Sequence, residues 1–324
     1  MTHSIKLAVQ YLLRILDFKD IFSSDFRPDI NKHLEVVCML DSWRIGDITV
    51  TRILEMEMPL PYRADTAFMP KATPAAIKEI DWLFPHYVTP EGFIKLAFQI
   101  FLVQAPGLRL VVDTCIGNDK PRHMLGGKAL QTSFLENLEL AGWTRDSVDY
   151  VVCTHLHVDH VGWNTMKDGD GWVPTFPNAR YLIGATEYEY WSKDTGEDQV
   201  AIMLDSIKPV FDAGLVDLVE TDHVISAEIK LIPTVGHTPG HVSVMLESQE
   251  EKAMITGDFM HHPCQIAHPD WTVTFDEDPE AAANCRLELL NELANSTTLV
   301  IGTHFSRPTA GKIVSVAGGY KFET

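Results

Sequence analysis

The sequence is poor in cysteine, in basic residues and in long apolar runs. Its five cysteines, Cys38, Cys115, Cys153, Cys264 and Cys285, are widely spaced and form no CxxC pair. That odd, scattered set excludes a disulfide framework and fits a reducing compartment, the cytoplasm. Cys153, inside the apolar run "VVC", reads as a small core residue. Lysine and arginine total 26 against 45 aspartates and glutamates, a formal charge of −19. So acidic a chain repels phosphate backbones, and nucleic acid is not an expected partner. Small neutral substrates and metal cations remain open. No run reaches the roughly 18 apolar residues of a membrane helix, so no membrane partner is expected either. Near the start, "SIKLAVQYLLRIL" is apolar but broken by Arg14, with no small-residue cleavage site close behind. It reads as an amphipathic helix rather than a signal peptide. Internal repeats and low-complexity tracts are absent.

What is present is a chain of 324 residues, long enough for a sizeable core. Residues 1–42 differ in character and read as a partly helical N-terminal extension; one domain is expected over 43–324. It opens with "WRIGDITVTRILEME", which alternates like an entering strand. Residues 60–95 are rich in proline and aromatics, with one short helix signalled by Thr73 as N-cap and Pro74 behind it. The stretch reads either as an irregular packed connection or as an apolar wall over a pocket lined by Phe68, Met69, Trp82 and Phe84. "FQIFLVQAP" and "LRLVVDTC" read as a hairpin of buried strands, and Ser133 with Glu136 as a capping box for a helix ending at Gly142. "VDYVVCT", "ARYLIGA", "IKLIPT", "HVSVML", "KAMITGD" and "TTLVIGTH" are further strands. A helix from Asp278–Pro279 presents Leu287, Leu290 and Leu293 on one side. Alternating strands and helices indicate an α/β protein with large sheets.

The chemistry concentrates in "THLHVDH", residues 154–160, where three histidines and an aspartate follow an apolar strand. In extended chain, side chains at i and i+2 point the same way, so His155 and His157 can grip one ion. Asp159 and His160 follow where the chain turns and can face a second ion. Burying four such groups without a cation is costly. Imidazole and carboxylate donors suit zinc first, with iron, manganese and cobalt as alternatives. Three later strands each end in a further donor: His237 in "VGHTPGH", Asp258 in "ITGD" and His304 in "IGTH". Two four-coordinate ions sharing one carboxylate require seven residues, and seven are supplied. The expected division gives His155, His157 and His237 to one ion and Asp159, His160 and His304 to the other, with Asp258 bridging. A water or hydroxide fills the remaining shared position.

In this order "THLHVDH", "GHTPGH", "TGD" and "GTH" resemble the metallo-β-lactamase-fold hydrolase superfamily, over about residues 43–310. The resemblance implies a four-layer αβ/βα sandwich of two mixed β-sheets flanked by helices. It implies that Asp113, in "VVDTCIGN", supports the ligand loop from behind. The bridging Asp258 separates the chain from zinc β-lactamases, and His157 separates it from flavin-linked di-iron members, which place Glu there. The nearest branch holds the N-acyl-homoserine lactonases and methyl-parathion-hydrolase-like enzymes. For this chain it implies a metal-dependent hydrolase of carboxylic esters, foremost a lactone ring. Phosphotriester or aryl-ester hydrolysis on the same site is the alternative. A mononuclear-iron dioxygenase and a metal-binding protein without turnover stand further off. A homodimer is implied only by analogy. Asp258, Asp159 and His261 are the residues expected to act in the chemistry, with Asp258 passing a proton to the leaving oxygen. His261 departs from the branch, which usually carries tyrosine three residues after the bridging aspartate. His261 or His262 then either donates to a developing oxyanion or merely packs. His241 and His268 read as structural or as supports for the ligands.

Overall fold

The computed structural model describes residues 40–324. The expected helix at "SIKLAVQYLLRIL" lies outside the described residues. Ser42–Thr324 form one compact unit.

Two mixed sheets make its frame. The first runs β1 (Asp41–Ile45), β2 (Ile48–Leu60), β3 (Ile94–Ala105), β4 (Leu108–Val112), β5 (Tyr150–Cys153), β8 (Arg180–Gly184) and β9 (Val216–Val219) in spatial order. Its first strands are antiparallel, β2 to β3 to β4, and the later ones parallel, β4 to β5 to β8 to β9. The second sheet follows chain order: β10 (Ile229–Pro233), β11 (Val242–Ser248), β12 (Glu251–Ile255), β13 (Leu299–Ile301), β14 (Ala310–Val316) and β15 (Gly319–Glu323). Here β12 and β13 are the parallel pair. A separate ribbon pairs β6 (Thr165–Asp168) with β7 (Gly171–Pro174). The helices are α1 (Pro74–Lys78), α2 (Phe134–Leu140), α3 (Ala185–Trp191), α4 (Glu197–Ile202), α5 (Lys208–Asp212), α6 (Cys264–Ala267) and α7 (Pro279–Leu293). This is the layered α/β sandwich.

Period-two alternation builds the layers. Val244, Leu246, Ala253, Ile255 and Ile301 of the second sheet join Phe101, Val103, Leu110, Val112, Val152 and Leu182 of the first in one core. The residues between them, Met254 and Val300, turn to the opposite face and meet Leu290 and Leu293 of α7. Each such side chain contributes about 1.5–3 kcal/mol on burial. The strands are therefore apolar on both faces, which is why they read as continuous hydrophobic runs.

Thr73 caps α1, accepting from the Ala76 N–H with Pro74 behind it, as expected. Three local expectations need correction. "WRIGDITVTRILEME" is not one strand: Gly46, at φ +54, turns the chain between β1 and β2, and a Cβ there would lie 2.4 Å from Ser248 O. Ser133 makes no side-chain cap on α2, because its backbone (φ −86, ψ 40) is not extended. On α7 the buried stripe is Ala282, Arg286, Leu290 and Leu293, while Leu287 is 44% exposed. Arg286 replaces it because its Nε and Nη1 find acceptors indoors, donating to the carbonyls of Phe259, Pro269 and Trp271. Among the described residues, no helix is long and apolar enough to cross a membrane.

Candidate metal centre

Every candidate ligand stands just beyond the C-terminal end of a strand, where open α/β sheets gather ligand-binding groups. β5 ends at Cys153 and delivers His155, His157, Asp159 and His160. β10 delivers His237, β12 delivers Asp258 and β13 delivers His304. Gly257 makes the turn to Asp258 feasible. It sits at φ +55, and a Cβ on it would lie 2.6 Å from His241 Nε2.

The seven side chains converge. His155, His157 and His237 form one group whose donor atoms all lie within 4.8 Å of one another; Asp159, His160 and His304 form another. His157 Nδ1 is 3.1 Å from His155 Nε2 and 2.9 Å from His237 Nε2. His304 Nε2 is 3.2 Å from His160 Nε2 and 3.5 Å from Asp159 Oδ2. Ligand atoms around a tetrahedral zinc stand about 3.3 Å apart, given Zn–N bonds of about 2.0–2.1 Å. Asp258 lies between the groups. Its Oδ2 is 3.3 Å from His160 Nε2, 3.2 Å from His304 Nε2, 3.7 Å from His237 Nε2 and 3.8 Å from His155 Nε2.

Electrostatics differ between the groups. Burial and the neighbouring imidazoles hold His155, His157 and His237 well below the ordinary histidine range, hence neutral with a lone pair available. Burial also opposes the imidazolium at His160 and His304. Around His160 the carboxylates of Asp258, Asp113 and Asp159 outweigh it, and around His304 those of Asp258 and Asp159 do, so both are lifted. Burial pushes Asp258 up, yet His160, His304 and His261 bring it well below the carboxylate range. Neutral nitrogens crowded at non-bonded contact, beside a buried carboxylate, are the donor set a divalent cation satisfies.

The model of the metallo-beta-lactamase superfamily matches residues 99–304. The chain belongs to this superfamily. Curated relatives include the N-acyl homoserine lactonase AiiA of Bacillus thuringiensis subsp. kurstaki, 27% identical over 180 residues, covering 52% of this chain and 65% of that protein. AttM of Rhizobium radiobacter, another N-acyl homoserine lactonase, is 27% identical over 178 residues, covering 50% and 64%. The matches thus span just under two thirds of these relatives. Among solved structures, the dizinc quorum-quenching lactonase AidC superposes with a TM-score of 0.72 at 22% identity, covering 87% of this chain and 96% of that one. The hydrolase AbOPH gives 0.70 at 24%, covering 88% and 96%. Both share the superfamily fold.

Around the superfamily motifs, acceptors fix the outer ring nitrogens of His155, His160, His237 and His304. Asp113 accepts from His160 Nδ1 at 2.9 Å and from the Thr154 N–H at 2.8 Å, behind the 154–160 loop. Thr154 Oγ1 donates to Asp113 and contacts His155 Nδ1 at 3.1 Å, leaving His155 Nε2 to face the centre. His304 Nδ1 donates to Ala97 O at 2.8 Å. His241, pushed down to about 4 by burial, accepts the Asp258 N–H on Nε2 at 2.7 Å. Two supports escape sequence reasoning. Asp276 Oδ1 accepts from His237 Nδ1 at 2.8 Å, and Glu187 binds both ligand loops. Both are buried acids, and burial is the one signal that marks them.

The remaining expected residues separate. His261 reaches the cluster: its Nε2 is 3.2 Å from Asp258 Oδ2, and with His237 and Asp258 it forms another group within 4.8 Å. The Phe68 ring meets His261 edge-on at 5.4 Å and lies 6.2 Å from Phe275, which the sequence did not single out. Met69 is buried in the core beneath α7 with its sulfur 3.6 Å from Cys264 Sγ, and Trp82 packs half-buried against that core. Phe84 is 56% exposed. His262 is structural: its Nε2 is 2.9 Å from Tyr87 O, and its Nδ1 accepts the Cys264 N–H. His268 stacks on Trp271 at 4.3 Å.

Proposed function

We propose that the chain is a dinuclear metal hydrolase that opens a carboxylic ester, foremost a lactone ring. The observation that carries this reading is Asp258, whose Oδ2 is within 3.8 Å of ring nitrogens from both ligand groups. His155, His157 and His237 would hold one ion and Asp159, His160 and His304 the other, with Asp258 between the two groups. Two divalent cations held there, zinc first, would supply Lewis acidity and a hydroxide nucleophile at neutral pH, lowering a water's pKa from about 15.7 toward about 7.

The chain's own groups do the rest. Asp258 is aimed by its N–H on His241, and its carboxylate takes a proton and passes it to the leaving oxygen. Asp159 stands at the mouth of the centre, with 16% of its side chain accessible, where its carboxylate would balance the second cation. His261 turns Nε2 to the centre and offers its N–H to the carbonyl oxygen as charge develops, in the place of the lactonase tyrosine. Phe68 beside it, with Phe275 against Phe68, forms an apolar wall for the acyl part of the substrate.

The lactonase relatives support a lactone over other esters. Phosphotriester or aryl-ester hydrolysis is the second reading, favoured by histidine rather than tyrosine at position 261. Zinc-loaded protein assayed on lactones of graded acyl length, an aryl ester and paraoxon separates the two. Lactones are expected to give the highest kcat/KM. An aryl ester or paraoxon turned over faster than every lactone overturns the first reading.

A further inference from the structure

Glu187 is an acid where acids are costly. It sits in the first turn of α3 with 1% of its surface exposed, and burial raises its carboxyl above the usual range. No cation pairs with it among the described residues; four donors do. Oε1 accepts the Leu156 N–H at 3.1 Å and the Trp191 indole N–H at 2.6 Å. Oε2 accepts the Thr238 hydroxyl at 2.8 Å and the Gly240 N–H at 2.9 Å. Leu156 lies between His155 and His157. Thr238 follows His237 directly. One carboxylate oxygen thus serves each loop of the three-histidine group. Trp191, fixed by the same carboxylate, lays its ring 5.1 Å from His157. The backbones are close as well: a Cβ on Gly240 would lie 2.4 Å from Glu187 N.

We infer that Glu187 is the positioning residue of the three-histidine half of the centre, a carboxylate clamp that sets the distance between the His155–His157 loop and the His237 turn. The inference rests on the dinuclear reading above. All four partners are donors, so the group between them must be an acceptor on both oxygens. Glutamine retains one acceptor oxygen and turns an NH2 toward donors on the other side. Thr238 can rotate its hydroxyl to accept, but the Gly240 N–H cannot. The His237 turn is therefore the side that loosens. None of the four hydrogen bonds of Glu187 reaches the Asp159, His160 and His304 group, which depends on Asp113 and Ala97 instead.

The test strips full-length protein with chelator and titrates it with zinc, following stoichiometry and the two stepwise affinities by chelator competition. The d–d spectrum of the cobalt-loaded form reports coordination independently of activity. Wild type is compared with Glu187→Gln, and with Thr238→Val and Trp191→Phe, which each remove one bond and keep the carboxylate. Glu187→Gln is expected to weaken one ion by about 10- to 100-fold, the range seen when such supports are lost, and the other by less than about threefold. The cobalt spectrum should lose intensity from one ion only, and the two milder variants should fall between. Equal weakening of both ions, or no weakening in any variant, overturns the clamp while wild type still binds two. A wild type that takes up fewer than two ions overturns the dinuclear reading, and the clamp with it.

Discussion

The two halves of the centre use different physics. His155, His157 and His237 are neutral, crowded and backed by acceptors outside the group: Thr154, Glu187 and Asp276. Asp159, His160 and His304 sit among the carboxylates of Asp113, Asp159 and Asp258, which favour imidazolium on both histidines. The first half stands ready for a cation. The second, when empty, favours protons where a cation would sit. Affinity in one is a matter of geometry, and in the other a competition between metal and acid.

The largest effect expected is from removing what the halves share. Asp258→Asn should lower kcat by on the order of 10²–10⁴-fold, the scale of lost acid–base catalysis, while circular dichroism stays unchanged. Unchanged turnover would remove Asp258 from its shared position.

Next comes pH. In the metal-free protein the carboxylates beside His160 and His304 raise both, favouring protons with which a metal must compete. Their half should lose affinity as pH falls, by about tenfold per pH unit per displaced proton. The three-histidine half, whose ligands are lowered, should hold its ion well below pH 6.5. Zinc titration with proton-release measurement from pH 8 to 6 checks this. Equal slopes for both ions would erase the contrast.

Smaller still is the loss of one support. Asp276→Asn keeps an acceptor for His237 Nδ1 but removes its charge, and should weaken the three-histidine ion by about tenfold, read by chelator competition. Its effect on the other ion should be within error.

The candidate ligands were legible because each follows an apolar strand, and parallel neighbours such as β12 and β13 bring their C-terminal ends to one edge. Two of the supports were not, because Glu187 and Asp276 are single acids among 45. Nothing local distinguishes a clamp from a solvated side chain until the fold buries it. The α7 stripe was misread for a related reason. Its i, i+4 ladder passes through Arg286, which hydropathy rejects, and only the three carbonyls waiting for that guanidinium make the position interior. In residues 60–95 composition announced apolar side chains but not their directions. Phe68 turns to His261, Met69 into the core and Phe84 to solvent.

The most direct measurement is anomalous scattering from crystals of the zinc-loaded protein. Two peaks about 3.5–4 Å apart, one on each side of the Asp258 carboxylate, are expected. A single peak, or peaks that Asp258 does not touch, would contradict a centre built on one shared carboxylate.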